Sequence, residues 1–149
     1  MDMDTLDEKD LTILEVMREN SKLSMNKIAR KTGIPLATVH HRIKRLEREG
    51  IIKKYTIILD KKKLGKKMVA YVLIKATPKS DHIKLLHSVS KHAAIEFSSA
   101  VTGAFDLILI VRVADIDELN AVVLKYLRTF DEVSETQTMI AYESVEKIN

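Results

Sequence analysis

The 149-residue chain contains no cysteine, which excludes disulfides, thiolate zinc sites and cysteine nucleophiles and leaves the cytosol as the default compartment. No apolar run approaches the roughly 18 residues that span a bilayer, so no membrane association is expected, and the start MDMDTLDEKD is too acidic for a signal peptide. A Gly-rich phosphate loop, a nucleophile elbow and a local Ser, His and Asp motif are all missing, so no enzyme is expected. His82, His87 and His92 stand five apart, each step turning about 140° round a helix, and no two share a face as the paired ligands of a zinc helix do. His40 and His41 are adjacent and diverge likewise. No metal and no other cofactor is expected.

Charge is present but unevenly spread. Residues 22–66 hold 14 Lys and Arg against 3 Asp and Glu, a net +11, whereas residues 67–149 hold 9 against 11, a net −2. The formal +4 of the whole chain thus hides one strongly cationic segment, the electrostatic footprint of a nucleic-acid module, beside a slightly acidic partner. Because the acidic half also has few aromatics, it lacks the stacking platform and basic run of an RNA-recognition sheet.

Within the cationic segment, Leu36, Val39, Ile43 and Leu46 recur at helical spacing after Gly33. Thr38, His40, His41, Arg42, Lys44, Arg45 and Arg48 project away from that stripe, which puts hydrogen-bond donors on a rod that fits the DNA major groove. Upstream, Ser24 can cap a helix, with Leu23 and Ile28 placed as a hydrophobic staple; Ala29 allows a close helix crossing, and Gly33 supplies the turn. Further upstream Asp7 can cap a first helix whose apolar face reads Leu11, Leu14 and Met17. The acidic residues of this start read either as keeping negative charge away from the groove-facing side or simply as a solvated helix N-terminus favoured by the macrodipole. Downstream of Gly50, IIKKYTIILD is rich in β-branched residues and reads as a strand, a wing carrying Lys53 and Lys54 towards phosphate.

IARKTGI followed by TVHHRIKRLEREGIIKKYT resembles the Lrp/AsnC family of prokaryotic transcription regulators. The resemblance implies a winged helix-turn-helix over residues 1–60. Pro35 stands where that family usually has serine; proline suits the first helical turn but offers no capping hydroxyl, a difference of about 1 kcal/mol.

KKKLGKK, residues 61–67, combines a charge run with a glycine and reads as a linker whose lysines either clamp phosphate or merely keep it solvated. Over 68–149 the apolar periods alternate as strand, helix, strand, strand, helix, strand, the βαββαβ order of a ferredoxin-like sheet with both helices on one face. The fold class is therefore α+β. Met68 to Ile74 and Leu107 to Val111 are nearly continuous apolar runs, so both faces need cover, and the same sheet of a second subunit supplies it most simply. The resemblance implies the same: a homodimer that can assemble into a tetramer or octamer on double-stranded promoter DNA. Base contacts are expected from Thr38, His40, His41, Arg42 and Arg45, with Arg42 foremost, and phosphate contacts mainly from Lys44, Lys53, Lys54 and the start of the helix.

Gly103 and Asp106 fall in the turn between the second and third strands, where glycine permits a positive φ and aspartate accepts from an ammonium group or caps amides. They match the family's Gly-x-x-Asp motif, which implies an amino-acid effector bound between subunits. The expected function is a sequence-specific DNA-binding transcription regulator. The rival reading is a ligand-sensing regulatory subunit of an amino-acid enzyme, and the +11 segment argues against it.

Overall fold

The computed structural model describes residues 6–145. The acidic lead before Leu6 and the last four residues of the expected second domain lie outside them. The chain forms two compact units that divide between Ile58 and Leu59.

The first unit holds three helices: α1 (Glu8–Glu19), α2 (Met25–Thr32) and α3 (Leu36–Arg48). Ser24 caps α2 through its hydroxyl, and Gly33 ends it at φ 71°, the left-handed conformation glycine adopts without a Cβ clash. Pro35 opens α3 with no side-chain cap. Ile13, Met17, Ile28, Ile34, Val39 and Ile43 form the core, with Leu23 and Ala29 packed against it.

Three expectations for this unit are corrected. Leu11 is exposed, and the inward stripe of α1 is Asp10, Ile13 and Met17. Leu36 is also exposed, so the buried stripe of α3 is Val39, Ile43 and Leu46. Residues 51–60 form no strand, because strand hydrogen bonds need a neighbouring strand and none pairs with this segment. Tyr55, Ile57, Ile58 and Leu59 are all exposed.

The second unit has the βαββαβ order, with β1 (Met68–Ala76), α4 (His82–Val89), β2 (Ile95–Ala100), β3 (Leu107–Val113), α5 (Ile116–Asn120) and β4 (Val133–Ile140). The sheet is antiparallel in the order β2-β3-β1-β4. Expected as one α-helix, the segment after Asp115 instead widens into a π-helical stretch at Ala121–Tyr126 and tightens to a 3-10 turn at Leu127–Thr129. Leu119, Val122, Val123 and Leu127 of this segment are nevertheless buried with Leu85 and Val89 of α4 against Ala70, Val72, Ile74, Leu107, Leu109, Val111 and Val113.

Residues 60–66 are a run of hydrogen-bonded turns rather than a loose tether, closed by Lys66 N–H donating to Lys61 O at 2.9 Å. Lys61 pairs with Glu96 at 3.2 Å, Lys63 with Asp60 at 3.8 Å, and Lys66 with Glu118.

Candidate nucleic-acid interface and effector turn

Successive residues of an α-helix turn by about 100°, so Val39, Ile43 and Leu46 fix which way α3 faces. Directly opposite them stand His41 and Arg48, flanked by Ala37, Lys44 and Arg45; Thr38 and His40 sit on the two shoulders. A groove of about 390 Å³ opens there, lined by Ala37, Thr38, His41, Arg42 and Arg45. Lys44 is exposed and pairs with Glu47 at 3.0 Å, a surface contact of about 0–1 kcal/mol that leaves the ammonium able to meet a phosphate. Glu47 also accepts from the Tyr55 hydroxyl at 2.8 Å. That bond, then Lys44, holds the Glu47 carboxyl below its usual range. Partial burial and then Glu47 push the Tyr55 phenol up to about 12. Lys53 and Lys54 are exposed beyond the helix.

Arg42 is placed elsewhere. It shares a side with Thr38 but lies about 110° round from the outward direction, on the flank turned to α1. Its Nη1 donates to Asp7 Oδ1 at 2.7 Å and to Asp10 Oδ1 at 2.9 Å. The other carboxylate oxygen of Asp10 accepts from Arg45 Nη2. Asp10 is 1% exposed and the arginines 19% and 23%. Stripping a partner from a buried ion pair costs about 3–5 kcal/mol, whereas a bidentate base contact contributes about 1–3 kcal/mol. The balance favours the pairing with aspartate, so Arg42 is no longer the first choice for a base contact. Neither Glu47 nor Glu49 on its own helix holds it; the acidic start of α1 does.

The same two aspartates form a reciprocal cap on α1, with Asp7 Oδ1 accepting from Asp10 N–H at 2.9 Å and Asp10 Oδ2 from Asp7 N–H at 3.2 Å. The Asp10 amide, and after it the Arg42 guanidinium, hold the Asp7 carboxyl down at about 2. Asp7 and Asp10 are the site residues that sequence reasoning missed. The available signal was a carboxylate in register with Ile13 and Met17 on the buried stripe, which needs a cation to face it.

In the second unit, Gly103 has φ 123°, a conformation that favours glycine. Asp106 is committed to the fold on three sides: its N–H donates to Ile74 O at 2.9 Å, its carbonyl accepts from Val101 N–H at 2.8 Å, and its Oδ2 accepts from Ala76 N–H at 2.7 Å. Oδ1 lies 3.9 Å from His82 Nδ1, and Lys75 Nζ donates to Ala104 O at 2.8 Å across the same turn. Of the two roles open to Asp106, amide capping is present. No metal-binding group of three His, Asp or Glu occurs among the described residues, and no helix among them is long and apolar enough to cross a membrane.

Residues 6–53 match the winged helix-turn-helix DNA-binding family, and residues 69–148, more than half of the chain, match the Lrp/AsnC ligand binding domain. The chain belongs to the Lrp/AsnC family. An uncharacterized HTH-type transcriptional regulator of Pyrococcus furiosus is 35% identical over 144 residues, covering 95% of this chain and 96% of the relative. Among solved structures, an AsnC family transcriptional regulator from Agrobacterium tumefaciens is similar with a TM-score of 0.89 and 26% identity, covering 95% of this chain and 94% of that one. A Neisseria meningitidis regulator, solved as a complex with L-Met, has the same fold at a TM-score of 0.88 and 23% identity, covering 96% and 94%. The Lrp/AsnC chain described here is accordingly a DNA-binding transcription regulator with the helix-turn-helix and ferredoxin-like architecture of that family.

Proposed function

We propose that this regulator works in the cytoplasm, without catalysis, as a homodimer that reads promoter DNA with α3 and changes assembly or affinity when an amino acid binds near Gly103 and Asp106. The observation that carries the reading is the outward face of α3, where His41, Lys44 and Arg48 stand clear of both the core and the acidic residues of α1. Thr38, His40 and His41 are proposed for base edges, and Lys44, Lys53 and Lys54 for phosphates. Arg45 lines the groove nearer the outward direction than Arg42, but Asp10 holds its Nη2, so it is not proposed for a base edge.

Two exposed apolar features support the dimer. Phe97, Ile110, Tyr71 and Met139 are in register across all four strands on the face away from the helices, and Phe97 and Met139 at its ends are 53% and 44% exposed. The unpaired segment Tyr55 to Leu59 is a second surface that a partner strand would cover. A twofold dimer presents two recognition helices to one side of the duplex, so paired half-sites should lie about 10 base pairs apart, or a multiple of that. Footprinting on a selected duplex tests this: a paired pattern supports the dimer, and a single unpaired half-site overturns it.

The effector class rests on the Gly-x-x-Asp turn, with the L-Met complex of the Neisseria relative pointing the same way. Screening the twenty amino acids by thermal shift and by sedimentation would show one or a few moving both observables. If none moves either, the turn is structural.

A further inference from the structure

We propose that Asp10, with Asp7 beside it, is a specificity-determining positioning residue: it engages Arg42 and Arg45 so that their charge is neutralised within the protein, leaving base reading to the rest of the outward face of α3. This rests on the reading of α3 as the recognition helix. The geometry gives each carboxylate oxygen of Asp10 its own guanidinium, and Arg42 is shared with Asp7. Two positive charges therefore meet two negative ones at the edge of the groove lined by Thr38 and His41. Arginines released at that edge would reach any phosphate backbone irrespective of sequence, because phosphate contacts raise affinity for all DNA alike. By holding them, the aspartates lower indiscriminate binding and fix the angle at which α3 meets α1.

The experiment measures binding of the full chain to a selected duplex and to a random-sequence duplex over a range of salt concentrations. Wild type, Asp10→Asn and Asp7→Asn are compared, with unfolding followed by circular dichroism. Each released guanidinium that finds a phosphate steepens the slope of log affinity against log salt by about 0.9. The expected result is a steeper slope for Asp10→Asn, tighter binding to random DNA, and a cognate-to-random ratio lowered about tenfold. Asp7→Asn tests the same point at a half-exposed position, free of any buried change, and should move the slope and the ratio in the same directions by less. A purely structural role would lower the active fraction without steepening either slope. If the wild type binds DNA and both variants keep its slope and ratio, the proposal is overturned while the DNA reading stands. If the wild type binds no duplex at any salt, both fall together.

Discussion

The two units solve the problem of holding a functional surface in different ways. In the ferredoxin-like unit, fifteen buried hydrophobic residues among those described lie between sheet and helices, and register is fixed by strand pairing along three ladders. In the helix-turn-helix unit the corresponding cluster has six, and a buried carboxylate bonded to two arginines adds directional contacts that an apolar core of that size cannot supply. Polar specificity is thus concentrated where the core is smallest and where the angle of one helix decides what it can read.

Breaking each unit at its own kind of contact sharpens that contrast. Asp10→Ala should have the largest effect, about 3–5 kcal/mol of lost stability in the first unit, since two arginines then face an empty buried position. Leu109→Ala, fully buried on the sheet, should cost about 2–5 kcal/mol in the second. Urea unfolding followed by separate probes for the two units would show each loss confined to its own transition. Asp106→Ala should cost less, about 1–3 kcal/mol, through the orphaned Ala76 amide, so its stability must be measured beside any effector response.

Acid should reach both units, with the smallest effect near neutrality. A carboxylate whose pKa is lowered by folding contributes stability above its ordinary value and loses it as pH falls through the folded value. For Asp7 that window runs from its ordinary 3.8 down to about 2. Glu118 is lowered by Lys66 and then by the Ala114 amide, so the second unit should weaken in the same direction. Thermal unfolding against pH should show Asp7→Asn flattening the acid loss in the first unit and Glu118→Gln in the second.

What the sequence disclosed is what depends on near neighbours. Ser24, Gly33 and the Val39, Ile43, Leu46 period mark α2 and α3 because caps and stripes act within a turn or two. The alternation of periods likewise gave the βαββαβ order. The contacts that were not legible join residues far apart in the chain: Arg42 to Asp10 across 32 residues, and Asp106 to Ala76 across 30. Residues 51–60 show a different limit. Their β-branched composition reads as strand, but propensity forms no strand without a partner edge. Leu11 is exposed because it lies about 130° round α1 from the buried Asp10, Ile13 and Met17, and Leu36 because it stands at the first position of α3, before the buried Val39.

The central claim is that the outward face of α3, rather than its arginine-bearing flank, reads DNA. The most direct measurement sets His41→Ala beside Arg42→Gln on the same selected duplex at one salt concentration. The account predicts that His41→Ala loses about 1–3 kcal/mol of binding, with discrimination among sites flattened. Arg42→Gln should keep its cognate affinity within about twofold while unfolding at a lower temperature, as loss of a partner from Asp10 requires. The reverse pattern, with Arg42→Gln abolishing cognate binding at unchanged stability and His41→Ala binding as wild type, would contradict it.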